Sequence, residues 1–154
     1  MVDQPAAPIL SGTDKHQRTW FHRRNTMEGS MPAISRFYFM TAICFLIAGI
    51  LLGLKMAITH DYAPVGAHAH INLLGWVTMS IFGIYHALNP SGASSRLAKA
   101  QAYVYVPGVL VMAPALYLLL TGTQAAEPVV AIASLAVFIG VVMFGAIIYR
   151  TRIA

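Results

Sequence analysis

The chain has 154 residues, of which 58% are hydrophobic and only 10% charged, and its mean hydropathy is +0.67. A water-soluble domain carries about 25% charged residues, so the composition excludes an ordinary soluble fold and points to a chain that dissolves in lipid. Ten Lys and Arg against five Asp and Glu leave a net charge of +5, and the positions of those charges decide what they are for.

The first stretch, residues 1–33, is polar and rich in breakers and lacks the apolar core of a cleavable signal peptide. It reads as a disordered cytoplasmic tail in which Trp20, Phe21, His22, Arg23 and Arg24 either touch an anionic lipid surface or are simply solvated. A start at Met27 or Met31 would leave the membrane domain whole. Crossing a hydrocarbon core about 30 Å thick takes about 20 apolar residues at 1.5 Å each. Four segments meet that length: 34–58, 67–88, 102–120 and 128–149. The only charges inside any of them are Arg36, at the very start of the first span, and Lys55, near enough to its end to snorkel to the interface. Pro107 and Pro114 each remove a backbone donor from the third span and should bend it.

The linkers Thr59 to Gly66, Asn89 to Gln101 and Thr121 to Glu127 are short. Sequential helices joined so briefly are antiparallel neighbours, which predicts an all-α, up-down-up-down four-helix membrane bundle. Gly49 and Gly53 on the first helix, and Ala136 and Gly140 on the fourth, mark the expected close helix contacts. Nine of the ten basic residues fall in three regions that an even number of spans places on one side: Lys15, Arg18, Arg23, Arg24 and Arg36, then Arg96 and Lys99, then Arg150 and Arg152. The positive-inside rule makes that side the cytoplasm and puts both termini there. The basic residues thus have a topological reason to exist, and a nucleic-acid role loses its support. Cys44, the sole cysteine, lies mid-membrane, so neither an intrachain disulfide nor a cysteine metal cage is available.

Of six histidines, His16 and His22 lie in the tail and four in the membrane domain. The run HDYAPVGAHAH places His60, Asp61, His68 and His70 at the outer surface, a clustering that packing does not explain. Neutral imidazole is the commonest protein ligand for heme iron and a good one for copper or zinc, and Asp61 is a candidate acceptor to orient a ring. The bland alternative is three interfacial histidines bonded to water, headgroups and loop carbonyls. Residues two apart on a helix point about 200° from each other, so His68 and His70 cannot share a face unless the first turn after Pro64 and Gly66 is irregular. His68, Asn72, Gly75, Met79 and His86 form one stripe; His70, Leu74, Val77 and Ile81 form another. His86 lies about 24 Å along the axis from His70 and reads as an interfacial histidine capping the inner end of the helix.

The segment HINLLGWVTMSIFGIYHALNP, His70 to Pro90, resembles the second transmembrane helix of the catalytic subunit of heme-copper oxidases, most closely the nitric oxide reductase branch. It is more similar still to a set of short bacterial cytochrome c oxidase subunit I-like proteins, through Ser35, Arg36 and Phe37, then His60 and Asp61, then Ala67 through Trp76. The resemblance implies that His70 is an axial ligand of a low-spin heme b and that the protein sits in a bacterial inner membrane. It does not carry over oxidase activity: no histidine follows His86, so the oxygen- or nitric oxide-reducing centre is missing. A second axial ligand would come from His60, His68, a methionine such as Met56 or Met112, or another copy of the chain. Lys55, Asn72 and Trp76 are candidates for the heme propionates, and Gly66, Ala67, Ala69 and Gly75 for leaving a flat slot beside the second helix.

Three functions follow as expectations. The first is a homo-oligomeric b-type cytochrome or heme sensor, with a redox partner protein if it transfers electrons. The second is a copper or other metal site built from His60, His68 and His70. The third is a cofactor-free assembly subunit of a respiratory complex. No nucleophile and base pair, phosphate loop or paired carboxylates appear, so turnover by the isolated chain is not expected.

Overall fold

The structure, a computed structural model, describes residues 31–151; the tail reading, with His16 and His22, and Arg152 lie outside them. Four helices are long and apolar enough to cross a membrane, and the described residues contain no strand. The chain is a multi-pass, all-α membrane protein built as an up-down-up-down bundle. We label the helices α1 (Ala33–Thr59), α2 (Val65–Leu88), α3 (Arg96–Leu120) and α4 (Glu127–Thr151). The connections after α1 and α3 share one end of the bundle, called the histidine end; the connection after α2 lies at the other, the basic end.

Each boundary has a local cause. Helix α1 stops where His60 turns into the left-handed region at φ 54°, the only non-glycine residue to do so among those described, and Pro64 then precedes the first residue of α2. Ser95 caps α3, its Oγ accepting from the Ala98 backbone N–H at 3.1 Å. That cap starts α3 six residues before the expected Ala102, because Arg96 and Lys99 extend the helix beyond its apolar stretch. Pro107 and Pro114 lie inside a continuous helix, both on its exposed side. Gln124–Ala126 forms a tight turn leading into α4, whose first turn carries Glu127 and whose last carries Arg150, each charge at the helix end whose dipole favours it.

Helix α2 departs from the expectation in one place. The turn after Pro64 and Gly66 is regular through Val65–His70, and the irregularity follows, as a π-helical segment over Ile71–Thr78, before α-geometry resumes at Met79. Two hydroxyls occupy the loosened carbonyls: Thr78 Oγ1 donates to Leu73 O at 2.7 Å and Tyr105 Oη donates to Leu74 O at 3.0 Å. Side chains that capture backbone acceptors in this way are a recognised cause of local unwinding. The wider turn keeps Ala67, Ile71, Gly75 and Met79, spaced by four, on one buried side.

Packing follows small residues. A Cβ on Gly49 would lie 2.6 Å from the Asn72 amide, one on Gly75 2.5 Å from the Phe45 ring, and one on Gly140 2.8 Å from Tyr105 Cβ. Gly49 and Gly53 thus seat α2 on α1, and Gly140 with Ala136 seats α4 on α3, as expected. Phe82 of α2 then ties the helices together, with its ring centroid 5.6 Å from Tyr38 of α1, 4.9 Å from Tyr105 of α3 and 4.1 Å from Phe144 of α4.

Candidate functional site

The histidine end holds three imidazoles that point to different places. His70 closes the first regular turn of α2 and is exposed. Its Nδ1 lies 2.8 Å from the carbonyl oxygen of Gly66, one turn back. A carbonyl only accepts, so Nδ1 carries the proton and, in the neutral ring, Nε2 keeps a free lone pair. The backbone bond also fixes the ring's direction, as a carbonyl acceptor does behind many metal-bound histidines.

His68 faces the other way. A Cβ on Gly53 of α1 would meet its Cε1 at 3.0 Å, and the Asn72 amide nitrogen sits 3.4 Å from its Nδ1 and 3.3 Å from its Nε2. That near-equal reach aims at neither lone pair, and the stronger bond of Asn72 Nδ2 is to the His68 carbonyl at 2.8 Å. Asn72 itself fills the space over Gly49. His60 is exposed in the left-handed turn after α1. Asp61 accepts from the Ala63 N–H at 3.0 Å through Oδ1, a local turn bond, and makes no bond to a histidine among the described residues. The 200° divergence of His68 and His70 read from helical spacing therefore holds. No three His, Cys, Asp or Glu side chains among the described residues gather into a metal-sized group, so His60, His68 and His70 do not form a compact triad within the chain.

The remaining candidates are partly engaged. Lys55 donates to the Tyr117 hydroxyl and stands 4.8 Å from the centroid of the same ring. Trp76 is half-exposed at 39%. Met56 and Met112 are buried, and Ser134 Oγ reaches the Met112 sulfur at 3.4 Å. The slot expected beside α2 is not open at its glycines. Phe45 fills the space over Gly75, Leu120 lies 3.1 Å from where a Gly66 Cβ would be, and Ala67 is fully buried. In a bundle without a hydrophobic drive between helices, glycines admit neighbouring side chains, and here they do. The free surface beside His70 is instead the outward side of α2, where Leu73 is 59% exposed.

His86 corrects a second expectation. It is not an interfacial cap: it is fully buried, stacked on Tyr38 with centroids 5.9 Å apart and planes 9° from parallel, and edged by Tyr85 and Phe144. Its place on the buried stripe of α2 with Met79 and Phe82 turns it inward. Beside it the Tyr38 hydroxyl donates to Gln101 Oε1, and Ser35 Oγ donates to Gly83 O at 2.7 Å. Sequence reasoning passed over Tyr38 and Gln101. The signal was present: Gln101 interrupts the buried run Ala98, Ala102, Tyr105, Val109 and Met112 of α3, and a polar residue inside such a stripe is unusual.

No protein family, curated protein or solved structure matches the chain.

Proposed function

We propose that the chain is a small b-type membrane cytochrome that holds heme through His70 at the outer end of α2. The observation that carries this reading is the Nδ1 bond from His70 to the Gly66 carbonyl, which leaves an oriented, exposed Nε2 lone pair on the outward side of the helix. A ring held at the wrong tautomer or tucked against a neighbour would not fit an iron; this one does, and His68, packed on Gly53 beside Asn72, fits less well. Heme, when bound, supplies one-electron redox chemistry, or a diatomic gas site if one axial position is open. The protein's part would be to present the His70 nitrogen and to exclude water with the exposed apolar Leu73 and its neighbours, with Trp76 and Lys55, the latter now held by Tyr117, as the residues that would meet the propionates.

A second ligand to the heme would come from another copy of the chain. Met56 and Met112 are buried in the core and His68 faces α1, so an outward-facing His70 would be completed by its counterpart across a two-fold axis, in a homo-oligomer, with the exposed His60 as the alternative within the chain. The charge distribution of the sequence supports both termini on the cytoplasmic side and His70 near the outer surface, and the resemblance of residues 67–76 to short bacterial proteins supports a bacterial inner membrane. The test is the absorption spectrum of the detergent-solubilised full chain before and after dithionite. Sharp reduced b-type bands in the parent that are absent from His70→Ala support the reading, and a colourless parent purified from heme-replete cells ends it.

A further inference from the structure

The basic end of the bundle contains something the heme reading does not use. His86, Gln101 and Ser35 are the polar residues buried in the described part of the chain, and all three sit there, with Tyr38 fully buried among them. Ser35 is spent on the Gly83 carbonyl and Tyr38 on Gln101 Oε1. Both ring nitrogens of His86 and the Nε2 of Gln101 have no hydrogen-bond partner among the described residues. Turning the Gln101 amide over changes which of its atoms is unspent and not the count. Buried polar atoms are otherwise almost always paired. An isolated orphan shifts the folding equilibrium by about one to two powers of ten, and lipid offers no water from outside to relieve it.

The ring of Tyr38 links the two residues, stacking on His86 by its face and holding Gln101 by its hydroxyl. Tyr38 stacks on the imidazole, and Tyr85 and Phe144 approach it edge-on at centroid distances of 5.7 and 6.1 Å. With three rings packed around a fully buried imidazole, a partner for its buried nitrogens has to be small. The buried polar residues include none with a fixed charge, so a partner bearing a full charge would be left uncompensated. A neutral imidazole offers one donor and one acceptor, and the amide nitrogen two donors, one or both unspent.

We propose that His86 and Gln101 form an internal binding site for a water-sized, uncharged molecule that both donates and accepts a hydrogen bond, with water as its resident occupant. Such a molecule accepts from Gln101 Nε2 and donates to the unprotonated nitrogen of His86, joining α2 to α3 and, through Tyr38, to α1. The polar contacts of the basic end then form one chain through Tyr38, Gln101, the occupant and His86, while the apolar exterior of the same helices faces lipid. The histidine end and this site are independent: they share no residue, and the inner site does not require heme.

The test is magic-angle-spinning NMR of the full chain, labelled with ¹⁵N-histidine and ¹⁵N-glutamine, in phosphatidylcholine vesicles. The experiment reads polarisation transfer from water protons to side-chain nitrogens. The His86 signals are assigned by their loss in His86→Phe or, should that variant fail to assemble, in His86→Gln. Exposed His60 serves as the internal positive control. Transfer to a His86 ring nitrogen and to the Gln101 amide is expected, together with a lower unfolding midpoint for His86→Phe, because the phenyl ring leaves the occupant and Gln101 unpaired. Transfer to His60 with none to His86 overturns the proposal. So does a His86→Phe midpoint equal to or above the parent, since replacing a true orphan by an apolar ring of similar shape is neutral or stabilising.

Discussion

Gly75→Ala adds one methyl group at the tightest glycine contact between α1 and α2. The new Cβ would lie 2.5 Å from Phe45 Cγ, 2.6 Å from Cδ1 and 2.7 Å from Cβ. Carbon atoms in good contact stand about 3.5–4.0 Å apart, so the shortfall is about 1 Å. Swinging the Phe45 side chain about its Cα–Cβ bond relieves the first two clashes and not the third, because Phe45 Cβ is fixed to the α1 backbone. The helices must part, and overpacking of this kind costs about 1–3 kcal/mol; at about 2 kcal/mol the folded-to-unfolded ratio falls roughly thirtyfold. The assay is titration with sodium dodecyl sulfate in mixed micelles, followed by tryptophan fluorescence. The geometry further predicts that the cost of Gly75→Ala shrinks in a Phe45→Ala background and vanishes in a Phe45→Gly background. Gly145→Ala on α4, where an added Cβ meets nothing within 4 Å, is the control and should be neutral or slightly stabilising. A Gly75→Ala variant within about 0.5 kcal/mol of the parent, or one with the same cost when Phe45 is glycine, would refute the reasoning.

Two further variants probe how the site's helices are held. Tyr105→Phe removes the donor to Leu74 O and should lower stability by about 0.5–1.5 kcal/mol; amide exchange should show the π segment of α2 becoming more protected as the helix closes toward regular geometry. Ser95→Ala removes the cap of α3 and should cost about 0.5–2 kcal/mol, with faster exchange confined to the first turns from Arg96, while Ser95→Asp, another capping residue, should retain most of the stability.

The fold was legible because its cause is written along the chain. Four apolar stretches separated by short linkers leave little choice of topology, and Gly49, Gly53, Ala136 and Gly140 were readable as contacts because small residues in membrane helices admit neighbours. Helix ends were less legible where polarity and helicity part company: Arg96 and Lys99 look like a loop by hydropathy but follow a serine cap. The π segment had no sequence signature. It depends on Tyr105 reaching Leu74 from another helix, thirty-one positions away. At the histidine end, helical spacing separated His68 from His70 correctly, yet it could not say which faced α1, nor that Gly66 and Gly75 were already filled by Leu120 and Phe45. For His86, proximity to a helix end suggests exposure, whereas its place in the stripe with Gly75 and Met79 argues for the burial observed.

The central claim is that His70, and not its neighbour two residues earlier, presents the axial nitrogen. The most direct measurement is the heme content per chain of the parent, His70→Ala and His68→Ala, purified in parallel and read by pyridine hemochrome absorbance. The account predicts substoichiometric heme in the parent, near one per two chains, its loss in His70→Ala and its retention in His68→Ala. Heme retained in His70→Ala and lost in His68→Ala would contradict it.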